Sequence, residues 1–83
     1  YSVFFRNSVR KDVDRIPRKD VGKIIERLKA LSKNPRPPGV EKLSAQERYR
    51  IRQGNYRIIY SIQDSEKTVW VVKIGQRQEV YRD

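Results

Sequence analysis

The segment RYRIRQGNYRIIYSI, Arg48 to Ile62, constrains the fold more than any other part of the chain. Its side chains change character with a period of two, and a Gly-Asn pair interrupts it at positions 54 and 55. A period of two belongs to a strand, and a two-residue Gly-Asn break belongs to a tight β-hairpin. With Gly54-Asn55 as the loop, Gln53 faces Tyr56, Arg52 faces Arg57 and Arg50 faces Ile59. Arg48, Arg50, Arg52 and Arg57 then share one face of the hairpin, and Tyr49, Ile51, Ile58 and Tyr60 share the other. The apolar set is the expected core face, and the arginines are expected on the open face of a sheet.

The flanking sequence supplies the rest of that sheet and its cover. Tyr1–Arg6 carries aromatic and β-branched residues without a breaker and reads as a strand. Asn7 or Ser8 can cap a helix in which Val9, Val13 and Ile16 recur on one side, and Pro17 ends it. Val21, Ile24, Ile25, Leu28 and Leu31 form the stripe of a second helix that stops at Asn34, before Pro35. Gly22 inside that helix predicts close packing on a neighbour. NPRPPGVEKLSAQE reads as a loop, and QDSEK as a turn. Thr68–Ile74 is almost wholly apolar, as a central strand is. The order β-α-α-β-β-β predicts an α+β fold in two layers, a helical hairpin on a mainly antiparallel sheet. The chain, residues 1–83, is read as a single domain.

Composition narrows the chemistry. There is no Cys and no His, which removes disulfides, Cys/His zinc sites, thiol nucleophiles and histidine acid–base catalysis. Lys and Arg number 20 against 10 Asp and Glu, a net charge of +10 that points to a polyanionic partner, nucleic acid before an acidic protein or a membrane surface. No apolar run approaches the length of a membrane span and no signal peptide is visible, so a cytoplasmic location is expected. No metal or other cofactor is expected: Asp12/Asp14 and Asp64/Glu66 read as helix-surface and turn acids without a third ligand nearby.

The arginine face admits two readings. It can be a solvated basic face. Alternatively, Arg52 directly across from Arg57 is an unfavourable like-charge pair that a bound anion would relieve, and guanidinium forks suit phosphate oxygens. Tyr49, Tyr56 and Tyr60 read as packing residues. Tyr81 stands apart, beyond the last strand and four residues after Arg77. Lys11, Lys19, Lys23, Arg27 and Lys29 on the helices read either as a solvated face or as contacts to a nucleic-acid backbone.

KLSAQERYRIRQGNYRIIYSI followed by VVKIGQRQEVYR, with VRKDVDRIPRKDVGKIIERLKAL before them, resembles the RelE branch of the RelE/ParE superfamily, toxins of type II toxin–antitoxin pairs. The resemblance covers nearly the whole chain. It implies a microbial-RNase-like fold and metal-independent cleavage of mRNA in the ribosomal A site, in which the 2′-hydroxyl attacks the adjacent phosphate to leave a 2′,3′-cyclic phosphate and a 5′-hydroxyl. By this resemblance Arg50 and Arg52 stand beside the scissile phosphate, where some members have lysines. Arg57 holds and stabilises it, Arg77 protonates the leaving 5′-oxygen or stabilises its charge, and Tyr81 orients the nucleotide or acts as base. Arg48 and the helix cations would contact RNA or the ribosome. The implied partners are a cognate antitoxin, which would carry any operator-DNA binding of the complex, together with the ribosome and mRNA.

Elementary chemistry constrains these roles. An arginine stays protonated, with a pKa above about 12, so it stabilises charge but is a poor base. A phenol begins near 10, and nearby positive charge lowers such a value by roughly 1–3 units, which makes Tyr81 the expected base. In-line positioning is worth up to about 7–11 kcal/mol, more than so small a domain can supply alone, hence the expected need for the ribosome. The competing readings are a ParE-like toxin that inhibits DNA gyrase and a non-catalytic basic module that binds nucleic acid.

Overall fold

The structure is a computed structural model that describes residues 1–43 and 48–76. Strand β1 (Ser2–Phe5) leads into helix α1 (Asn7–Asp14) and helix α2 (Arg18–Lys33). Strands β2 (Glu41–Lys42), β3 (Arg48–Gln53), β4 (Tyr56–Gln63) and β5 (Thr68–Gln76) follow, with a short 3-10 turn at Asp64–Glu66. These strands form one sheet in the order β1-β5-β4-β3-β2. Among the described residues, β1 and β5 pair in parallel and the other neighbours are antiparallel. Both helices lie on one face, so the expected two-layer α+β architecture is the observed one.

The hairpin has the expected register: Gln53 pairs with Tyr56, Arg52 with Arg57, and Arg50 with Ile59. Gly54 takes φ of +60° while Asn55 stays at negative φ, the II′ pattern whose twist matches that of the flanking strands. Tyr49, Ile51, Tyr56, Ile58, Tyr60 and Ile62 form the inner face with Val69, Val71 and Ile74 of β5. They pack against Val9, Ile16, Ile24, Leu28 and Leu31 from the helical layer. Tyr49 and Tyr60 stack at 5.8 Å, and the Tyr60 hydroxyl, deep in this core, donates to the Pro35 carbonyl at 2.7 Å. That bond satisfies a polar group whose burial would otherwise cost stability.

Four details differ from the sequence reading. Arg6, not Asn7 or Ser8, occupies the N-cap position of α1, and Asn7 is already helical. Helix α1 stops at Asp14, so Ile16 reaches the core from the connection ahead of Pro17. A side chain at Gly22 would meet nothing within 4 Å, so this glycine marks no close approach. The segment read as one loop contains β2, because Glu41 and Lys42 pair with Arg50 and Tyr49.

The loop between α2 and β2 is pinned by Arg36. Its guanidinium forks onto Asp64, with Nη1–Oδ1 at 3.1 Å and Nη2–Oδ2 at 2.9 Å, and its Nε donates to the Tyr49 hydroxyl at 3.1 Å. The Tyr1 hydroxyl donates to Asp64 Oδ1 at 2.6 Å. The bond from Arg36, reinforced by that from Tyr1, holds the Asp64 carboxyl well below its ordinary 3.8, at about 2. A depressed folded-state value contributes stability that is complete above the unfolded value and vanishes as pH falls through the folded one. Asp64→Asn is therefore expected to flatten the pH dependence of stability between about pH 4 and about pH 2. Denaturant melts at closely spaced pH values read this directly. A variant with the wild-type slope in that window would remove Asp64 from the acid transition. The network is solvent-exposed, so its contribution should also shrink with added salt.

Candidate active site on the arginine face

The side of the sheet turned away from the helices carries the cations in successive rows. Arg52 of β3 pairs with Arg57 of β4, which pairs with Gly75 of β5. The next row runs Glu41, Arg50, Ile59, Lys73 across β2 to β5. Beyond it lie Arg48, Ser61 and Trp70. Strand alternation thus brings together the four arginines of the hairpin, as expected.

Their exposure is not that of a solvated face. Arg57 is only 3% exposed and Ile59 only 2%, although both sit on the side away from the helical core. The Arg50 side chain is 16% exposed, whereas Arg52 stands in solvent. A concavity of about 270 Å³ is lined by Gly39, Glu41, Arg50, Arg52 and Arg57. Arg57 is therefore a buried charge beside a cross-strand like charge, in a hollow open to solvent. Burial of a cation is costly, and a surface arginine would be placed elsewhere if charge alone were needed. Such an arrangement suits an incoming anion, because the donors are already oriented and partly buried.

Glu41 was not singled out by the sequence. It accepts from Arg50, Oε2–Nη2 2.6 Å, and 64% of its side chain remains exposed. Its place in a Pro- and Gly-rich stretch concealed the two-residue strand that carries it. Lys73 was missed for a different reason. A register shift between Ile59 and Tyr60 places a bulge in β5, so Ile59 pairs with Lys73 while Tyr60 pairs with Val71. Regular alternation from Trp70 would have turned Val72 outward and Lys73 toward the helices. The bulge reverses that, and Lys73 joins the arginine face.

The helix cations are not brought to this face. Lys11, Lys19, Lys23 and Lys29 are exposed on α1 and α2, on the opposite side of the sheet. Arg27 is half-buried, and its Nε donates to Gln53 Oε1 at 3.0 Å, so it ties α2 to the end of β3. Arg77 and Tyr81 lie outside the described residues. The described part of β5 runs to Gln76, and its Gly75 pairs with Arg57. Asp12 of α1 accepts from the backbone N–H of Ile74 at 3.1 Å and anchors this end of β5. Asp12 and Asp64 thus have structural partners, which accounts for their placement on a helix and a turn.

Comparison with known proteins agrees with this geometry. A family model described as the ParE toxin of the type II toxin–antitoxin system parDE matches residues 3–81. The chain belongs to this family, within the RelE/ParE group of toxins of type II toxin–antitoxin systems. Toxin RelG of Mycobacterium tuberculosis is 27% identical over 84 residues, which cover 99% of this chain and 97% of RelG. A chain of the archaeal RelE–RelB complex from Pyrococcus horikoshii OT3 superposes with a TM-score of 0.84 at 29% identity, covering 93% of this chain and 94% of that one. The RelBE2 toxin–antitoxin complex of Mycobacterium tuberculosis gives 0.81 at 26% identity, with 93% and 98% covered. The isolated Escherichia coli RelE toxin shares the fold, with a TM-score of 0.81 at 22% identity and 98% and 90% covered. No helix among the described residues is long and apolar enough to cross a membrane.

Proposed function

We propose that this toxin is an endoribonuclease that cleaves mRNA in the ribosomal A site without a metal ion, and so stops translation. The observation that carries the reading is Arg57, 3% exposed at the floor of a hollow it shares with Arg50 and Arg52. The RNA 2′-oxygen attacks the adjacent phosphorus as the P–O5′ bond breaks, leaving a 2′,3′-cyclic phosphate and a 5′-hydroxyl. Arg57 and Arg52 grip the phosphate across the hairpin, and Arg50 adds charge from the next row. Each stabilises the extra negative charge of the phosphorane. Tyr81 takes the 2′-hydroxyl proton, and Arg77 stabilises the departing 5′-oxygen, which takes its proton from solvent water. Glu41, held on Arg50, is the competing proton acceptor because it lines the same hollow.

The toxin works in the cytoplasm, with mRNA positioned by ribosomal RNA. The exposed lysines Lys11, Lys19, Lys23 and Lys29 form a second basic surface, separated from the hollow by the sheet. One side can thus face the mRNA while the other faces the ribosomal backbone, a division that predicts steep weakening of ribosome binding with salt. A cognate antitoxin of the RelB kind would restrain the toxin, as the partners named in the complexes of similar toxins suggest.

The family model that matches is described as a ParE toxin, which favours gyrase inhibition as the second reading. Primer extension on mRNA in a translating extract separates the two. The nuclease reading expects discrete cuts within codons. Intact mRNA together with lost gyrase supercoiling would replace it with the gyrase reading.

A further inference from the structure

The row beyond Arg50 and Lys73 ends in two aromatic rings. Phe4 of β1 pairs with Trp70 of β5, Trp70 with Ser61, and Ser61 with Arg48, in one line across four strands. The Phe4 and Trp70 rings stack with centroids 5.1 Å apart and planes 26° apart. Phe4 is 43% exposed, and Trp70 is half-buried beside a second concavity of about 510 Å³ that reaches Arg6 and Asn7. Neither ring belongs to the core cluster under the helices.

From this pair toward the arginine hollow the sheet presents Lys73 on β5, while Arg48 on β3 flanks the pair in its own row. Four residue steps along β4, from Ser61 to Arg57, separate the two rows, roughly 13 Å along the strand. The face therefore reads aromatic platform, cations, arginine hollow, on one rigid sheet. Proteins that hold single-stranded nucleic acid combine these elements, a basic track for the backbone and rings on which bases stack. An apolar pair set aside for a protein partner would not need cations on its inner flank.

We propose that Phe4 and Trp70 form a stacking subsite for a nucleobase of the RNA strand whose phosphate occupies the arginine hollow. Lys73 contacts the backbone between them, and Arg48 flanks it in the row of the rings. This rests on the nuclease reading and extends it to a second nucleotide, a few positions from the scissile bond. The bulge in β5 is part of the device, since it is what turns Lys73 onto the same face as Trp70.

Trp70 is the sole tryptophan of the chain, so its emission reports the subsite without any substitution. The full chain is titrated at low salt with an uncleavable 2′-O-methyl oligoadenylate, and binding is followed separately by anisotropy of a labelled copy. Saturable quenching of Trp70 that tracks binding is expected. Phe4→Leu, which keeps an apolar residue on β1, should weaken binding roughly 5- to 100-fold at an unchanged melting temperature. Binding without quenching, or with no effect of Phe4→Leu, would overturn the subsite and leave the arginine hollow standing. The subsite is also overturned, and the hollow again left standing, if the chain cleaves mRNA on the ribosome yet binds no oligonucleotide. A chain that neither binds nor cleaves overturns both readings. Trp70 emission that answers to a coexpressed antitoxin but not to RNA would make the rings a protein contact instead.

Discussion

Replacing Arg57 by leucine is expected to lower the proposed cleavage of mRNA about 10²–10³-fold while the chain still folds. The two effects have separate causes. Loss of one preorganised donor to a developing oxyanion lowers rates by about 10²–10³-fold, and Arg57 is the most deeply placed of the three described donors. Stability carries a term of the opposite sign. Arg57 is buried and faces Arg52 directly across the hairpin, and relief of a like-charge cross-strand pair is worth about 0.2–1 kcal/mol. On a domain of this size that term alone corresponds to about 1–8 °C in melting temperature, set against the contacts Arg57 gives up. Single-turnover cleavage on programmed ribosomes and a thermal melt of the same preparation test both parts. A parallel fall in activity and melting temperature would make Arg57 a structural residue and remove the main support for the hollow as a phosphate site.

The second large effect concerns the proton. Tyr81→Phe should lower single-turnover cleavage by about 10²–10⁴-fold, the span of general-base contributions. It should also flatten the rise of rate with pH that a phenolate base imposes. Glu41→Gln is expected to cost less than about tenfold, well below a general-base contribution. The glutamine oxygen can still accept from Arg50, and the carboxylate's role would then be to hold Arg50 against the hollow. The reverse ranking, with Glu41→Gln near 10²–10⁴-fold and Tyr81→Phe nearly silent, would transfer the base to Glu41. The carboxylate lines the hollow and keeps most of its side chain in solvent, so it is sterically able to take that role.

Together the two experiments divide the site into a part that holds charge and a part that moves a proton. The arginines belong to the first because a guanidinium keeps its protons at any physiological pH. The ion pair between Glu41 and Arg50 sits beside the charge-holding part. It draws a carboxylate to the rim of a cationic hollow where none was apparent from residue order.

The sequence by itself determined the hairpin. With Gly54-Asn55 taken as a two-residue loop and no bulge in either strand, the period of two gives the register that the hairpin adopts, and the register decides which side chains share a face. Arg52 opposite Arg57, and the apolar set of Tyr49, Ile51, Ile58 and Tyr60 on the inner side, follow from that local geometry. So do the two amphipathic helices and their placement over one side of the sheet. Only the tertiary structure decided which of the charges are buried. Arg57 and Arg52 look equivalent in sequence, yet one is buried and the other stands in solvent, because burial depends on segments far away in the chain. The same holds for Glu41, whose strand exists only by pairing with β3, and for Arg27, drawn inward by Gln53. Lys73 depends on one extra residue in β5, which reverses the alternation that a straight strand would impose. Local periodicity specifies faces, whereas long-range packing sets exposure, ion pairing and the bulge. The arginine face could thus be read in advance, but the hollow with its buried cation could not.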